Sequence, residues 1–123
     1  PLLPARGSTP CPSVPLDQRH GLAAEKLRIA LAKRERSPFA PRDGLEAVLF
    51  FETAAACFEG AGESGESADV RRSADALREK LEEDYRVRRV RLEHAYRIHD
   101  APAAKRELSV LVPMTAHQRG PYL

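Results

Sequence analysis

Catalytic and metal sites are built from histidine, cysteine, serine and paired acids, and this chain disperses all of them. His20, His94, His99 and His117 fall on different segments. None has a Cys, His or carboxylate at a metal-ligand spacing such as HExxH, so solvated or capping histidines are expected. Glu82, Glu83 and Asp84 are consecutive; on a helix such neighbours point in different directions and cannot converge on one substrate. Ser13, Ser73, Cys11 and Cys57 lie in no GxSxG elbow and no cysteine-nucleophile signature. Gly60-Ala61-Gly62-Glu63-Ser64-Gly65 has the spelling of GxGxxG. It follows a helical pattern rather than a strand, however, and Glu63 and Glu66 would repel a pyrophosphate. The expectation is a non-catalytic chain with no catalytic residue, no cofactor and no metal.

The two cysteines have neither CxxC nor twin CxnC spacing. Two free thiols in a reducing compartment are expected, with Cys57 in the core between Ala56 and Phe58. Leu2 to Arg19 holds no signal-peptide hydrophobic region, so secretion is not expected, while organelle import stays open. No run approaches the roughly 18 consecutive apolar residues of a membrane span; the best candidate, Ala47 to Phe58, is interrupted by Glu52 and Thr53.

The one concentrated chemical feature is basic. Arg86, Arg88, Arg89, Arg91 and Arg97 face a single acid, Glu93, and lie between or beside Tyr85 and Tyr96. Arginine forms bidentate bonds to carboxylates and phosphates, so this stretch suits acidic protein surface, anionic lipid headgroups or RNA. Helical spacing spreads the arginines around the axis, which disfavours a single nucleic-acid groove. The net charge of +2 is also too small to argue nucleic acid alone. The competing reading is a solvated helix face whose charges pair with Glu82, Glu83 and Asp84.

Charged residues make up 31% of the chain, against roughly 25% in an average domain. There is no Trp, and only four Phe and three Tyr are available as large core anchors. The elements that must carry the basic face are therefore thin-cored helices. Pro1, Pro4, Pro10, Pro12 and Pro15 make residues 1–16 an extended arm, disordered if alone in water. Asp17 caps a first helix with Leu22, Ala23, Leu27, Ala30 and Leu31 at helical spacing, ended by Ser37-Pro38. Asp43 caps a second, the most hydrophobic, with Leu45, Leu49, Phe50, Ala54, Cys57 and Phe58 on one broad side. Three glycines make 60–66 a flexible connector. Ser67 caps a long third helix whose stripe Val70, Ala74, Leu77, Leu81 changes phase beyond Tyr85. The positions Val87, Val90, Leu92, Ala95, Tyr96 and Ile98 then imply a break near Asp84 or contacts on two sides. Asp100 or Ala101-Pro102 opens a short last helix, and an extended tail begins at 110. The expectation is an all-α fold, with helices at about 17–36, 43–59, 67–98 and 102–109, between extended arms at 1–16 and 110–123.

From Phe50 onward, the aromatic pair Phe50-Phe51 with Ala54-Ala55-Ala56 and Phe58, then Ala76-Leu77-Arg78, Tyr85 with Arg88 and Arg91, and Pro121-Tyr122-Leu123 together resemble the 14 kDa accessory subunit of mitochondrial respiratory complex III, the ubiquinone-binding-protein or subunit 7 family. Phe50-Phe51-Glu52-Thr53-Ala54-Ala55-Ala56-Cys57-Phe58 is similar to that family's aromatic pair, small residues and further aromatic. Ala76-Leu77-Arg78-Glu79-Lys80-Leu81-Glu82-Glu83-Asp84 resembles its Ala-Leu-Arg-Arg-Leu-Pro-Glu stretch. Tyr85, Arg88, Arg91-Leu92 and Ala95 resemble its Tyr and spaced arginines, and Leu111-Val112-Pro113 and Pro121-Tyr122-Leu123 its ending. The family's Lys-Leu-Gly-Leu, its tryptophan and its charged C-terminal helix are missing, and Glu82 stands in place of its proline. The resemblance implies a cofactor-free accessory subunit of the respiratory chain on the matrix side of the mitochondrial inner membrane. Cytochrome b and the core proteins would be its partners, with electron transport left to them. Phe50, Phe51, Phe58, Tyr85, Arg86, Arg88, Arg89, Arg91, Tyr96, Arg97 and Tyr122 are the expected contact residues, with Leu45 to Phe58 as a hydrophobic anchor. The rival expectation is a peripheral RNA-contacting subunit of an organellar ribosome.

Overall fold

A computed structural model describes residues 2–116 and is all-helical: α1 (Leu16–Arg36), α2 (Pro41–Gly60), α3 (Ser64–Arg97) and α4 (Ala101–Thr115). Tyr122 and the expected contacts of 117–123 lie outside the described residues. The residues group into two units, one comprising Leu3–Arg78 and the other running from Glu79 onward. The third helix belongs to both.

In the first unit α1 and α2 form the main packed pair. Helix α1 follows Pro15, with Asp17 in its first turn and Lys33, Arg34 and Arg36 in its last, as the helix dipole favours. It buries Ala23 and Ala30 completely, small residues that allow a neighbouring backbone close. Helix α2 starts on Pro41, whose missing N–H costs nothing at N1. Asp43, expected as its cap, instead sits in the first turn and pairs with Arg36 (3.2 Å) and Lys33 (3.5 Å). Lys33 also donates to Glu46 at 2.5 Å. That hydrogen bond above all, with the charges of Glu46 and Asp43, outweighs burial and holds the Lys33 pKa above the usual 10.5. Helix α2 buries residues on nearly every side: Leu45, Ala47, Val48, Phe51, Glu52, Ala54, Ala55, Cys57 and Phe58. The expectation of a buried second helix holds.

The glycine-rich segment is a turn of three residues, not a flexible connector of seven. Gly62 takes φ +80°, its N–H donates to Glu59 O (3.0 Å), and the N–H of Glu63 donates to Phe58 O (2.9 Å). This is the Schellman pattern, in which a left-handed glycine closes off the last carbonyls of a helix. Helix α3 therefore begins at Ser64, and Ser67 is not its cap. The Ser67 hydroxyl is buried and donates to Ala55 O at 2.8 Å, fastening α3 to α2. Val70, Ala74, Leu77 and Leu81 are buried as the stripe predicts, and α3 runs unbroken through Asp84.

The N-terminal arm is extended, but it lies on its own chain. Leu3 is buried, and Cys11 forms a disulfide with Cys57 on α2, which overturns the expectation of two free thiols. Sequence spacing could not show this pairing, because the partners are 46 positions apart and meet only when α1 folds back on α2. Closing a loop of that size removes about 4 kcal/mol of unfolded-chain entropy in the simplest treatment.

Beneath the arm is a buried ion pair. Arg78 of α3 donates to Glu52 of α2 at 2.5 Å, with side chains 4% and 3% exposed. The arm supplies the remaining partners: Thr9 donates to the other Glu52 oxygen (3.3 Å), and Pro4 O accepts from Arg78 (2.7 Å). Arg78 Nε is the one buried side-chain nitrogen or oxygen without a hydrogen-bond partner among the described residues.

Helix α4 opens on Asp100, whose carboxylate accepts the Ala103 N–H at 3.0 Å. It continues six residues past the expected end and takes in Pro113. Leu111 and Met114 are buried at a spacing that continues from Ala104, so packing overrides the strand-like look of Val110-Leu111-Val112. Pro113 sits in the last turn, where its missing N–H leaves only the carbonyl of exposed Ser109 without a helical donor. The extended tail expected from 110 is therefore helical as far as Thr115.

Two outcomes are expected in urea denaturation. Cys11→Ser lowers stability by about 2–4 kcal/mol in non-reducing buffer and by nothing in reductant; equal midpoints in both buffers would show that the bridge does not form. Arg78→Ala strands a buried carboxylate and costs about 3–5 kcal/mol, whereas the double variant Glu52→Leu/Arg78→Met recovers most of that loss. A single variant with unchanged stability would contradict the burial of the pair.

Candidate partner-docking surface

The expected contact residues separate into two groups. Phe51 and Phe58 are buried in the first unit and are not available as partner anchors. The guanidinium of Arg34 lies 5.4 Å from the Phe51 ring, and His20 packs edge-on to Phe58 at 5.9 Å. Phe50 is half-buried beneath the Lys26 and Lys33 ammonium groups, at 5.4 and 5.8 Å from its ring. The hydrophobic anchor expected from Leu45 to Phe58 is thus turned toward the chain's own helices. A hydrophobic helix reads alike in sequence whether it is covered by its own chain or by a partner.

The arginine stretch lies in the second unit, on the C-terminal half of α3. Some of its charges are paired where they stand. Arg86 bonds Glu83 at 2.6 Å, one turn away and largely exposed, and such a pair contributes little. Arg88 is largely covered, reaching back to Asp84 (3.2 Å) and across to Glu107 of α4 (3.3 Å). It clasps the two helices of the hairpin. The Arg89 guanidinium stands 5.7 Å from the Tyr85 ring. Arg91 and Arg97 are exposed and have no ion-pair partner among the described residues.

Between α3 and α4 runs a groove of about 370 Å³. Its apolar lining is Val90, Ala95, Ile98 and Ala103, and its polar lining is Arg91, His94, Asp100 and Glu107. Val90 and Ile98 are 63% and 56% exposed, and Tyr96 nearby is also open to solvent. Of these, only Arg91 and Tyr96 are among the expected contact residues. The rest left one trace in the sequence, the phase change after Tyr85, which puts Val90 and Ile98 off the stripe that α3 buries.

The groove offers apolar contact rimmed by polar side chains. The acids on the groove are committed to a helix cap and to the Arg88 clasp, so neither is poised over the apolar floor. No helix among the described residues is long and apolar enough to cross a membrane. Comparison of the chain with known protein families, curated proteins and solved structures finds no match.

Arg88→Met should lower stability by about 1 kcal/mol and speed amide exchange along α4. Unchanged exchange in α4 would mean that the clasp does not hold the hairpin.

Proposed function

We propose that this chain is a non-catalytic structural subunit of a larger assembly, joined to its neighbours through the open face of α3 and α4. The observation that carries the reading is the exposure of Val90 and Ile98 beside the unpaired Arg91 and Arg97. Apolar side chains grouped in a concavity and rimmed by charge are the usual mark of a surface that is covered in use.

Within that class the host we favour is mitochondrial respiratory complex III, with cytochrome b and the core proteins as neighbours. The support is the resemblance over residues 50–123, together with a basic helix suited to acidic protein or anionic headgroups. The Cys11–Cys57 disulfide calls for an oxidising compartment, which counts against the matrix side that the resemblance implies. The RNA reading is the weaker one, since Arg86, Arg88 and Arg89 already have partners within the unit.

Native purification of the tagged full-length protein in mild detergent, followed by identification of the proteins that co-migrate at high mass, tests the proposal. Cytochrome b and the core proteins are expected. Other respiratory subunits would replace the host and keep the class, and ribosomal proteins with RNA would promote the rival. A free 13.6 kDa monomer would overturn the subunit reading.

A further inference from the structure

The groove between α3 and α4 is uneven in what it leaves unsatisfied. Four polar side chains line it, and the two acids are already engaged. Asp100 accepts the Ala103 N–H at 3.0 Å, and Glu107 accepts from Arg88 at 3.3 Å. Arg91 and His94 have no partner among the described residues and are exposed, and Arg91 is the groove's cation. An incoming molecule therefore meets an apolar floor of Val90, Ala95, Ile98 and Ala103, with unpaired positive charge on the α3 side.

From this we infer that the groove seats an acidic amphipathic helix of a partner protein. The inference rests on the docking reading above and names the chemistry of what docks. A third helix laid along a helical hairpin places apolar side chains at i, i+3 and i+4 into the gap. Carboxylates on its flank then reach Arg91, which can bind one in bidentate fashion. Ala95 and Ala103 are small enough for the partner's aliphatic side chains to enter between the helices. The volume lies near the lower end of the roughly 300–1,000 Å³ typical of ligand sites, room for a few such side chains.

Other occupants fit less well. A second copy of this chain would bring its own unpaired Arg91 to a self-complementary contact. A lipid surface takes up projecting apolar ridges, whereas this face is concave. RNA binding draws on many phosphate contacts, and one arginine and one histidine supply few.

The test uses the full-length, disulfide-intact protein and a labelled synthetic helix with leucine along one face and glutamate along its flanks. Fluorescence anisotropy should report binding of this peptide and none of its counterpart with lysine for glutamate. Arg91→Glu should weaken binding by about tenfold, and Ala103→Phe, which fills the groove, should abolish it. Circular dichroism and thermal melting of both variants should match the parent. Equal binding of the two peptides, or binding that survives both substitutions, overturns the proposal. So does a dimer in sedimentation that Ala103→Phe dissolves while the peptide fails to bind, or attachment to phosphatidylcholine–cardiolipin vesicles without peptide binding. The two readings fail separately. Variants that lose the peptide yet still co-migrate with the native assembly refute the groove alone. A parent protein that binds the peptide but is recovered only as a monomer refutes the subunit reading alone.

Discussion

The ion pair between Glu52 and Arg78 constrains how the first unit can be built. Two charges almost wholly removed from water cost several kcal/mol each in desolvation, and their mutual attraction offsets this only when nearby dipoles satisfy the remaining polar atoms. Here the dipoles come from Pro4 and Thr9, so the arm is required by the pair it covers. The dependence also runs the other way. A proline-rich segment with few apolar residues has little reason to order itself, and the carbonyl and hydroxyl that it offers to the buried charges supply part of that reason. The disulfide adds a second, covalent attachment a few residues on. Helices α2 and α3 supply one charge each, so their register is set by the same contact, reinforced one side of the interface away by Ser67 on Ala55.

The second unit is organised differently. Its buried residues are few, with Leu81, Ala95, Ala104, Leu111 and Met114 the principal ones, and its hairpin is held by a clasp of charges as well as by packing. Large apolar side chains remain in solvent along the same helix whose first half is well covered. One helix therefore serves two physical roles in succession, core element as far as Leu81 and presented surface beyond Tyr85. The change of apolar phase after Tyr85 is where the roles exchange.

Much of this was legible in the sequence, and the failures have separate causes. The four helices follow from Leu and Ala spacing, and Val70, Ala74, Leu77 and Leu81 were visible as a buried stripe because nothing interrupts their period. The start of α3 was hidden by its glycines: Gly62 ends the preceding helix, while Gly65 sits inside the next one at only a modest cost. Ser67 has the chemistry of a cap and spends it on a neighbouring helix instead. The last turns of α4 were masked by β-branched residues and a proline whose effect depends on burial rather than on local preference. The Cys11–Cys57 pairing and the Glu52–Arg78 pair are long-range, and no local pattern announces either. At the groove the arginines stood out in sequence, whereas which of them are free could be read only once Asp84, Glu83 and Glu107 were placed.

The disulfide has a topological consequence. Cys11 precedes α1 and Cys57 lies near the end of α2, so the backbone between them is a closed covalent ring, from which the rest of the chain extends. Phe39, in the short link between the two helices, is 89% exposed and is an open target for a protease. A single cut there would open the ring without dividing the molecule. The nicked protein would gain only the mass of one water and keep both halves of its helical pair until a reductant cut the link between them.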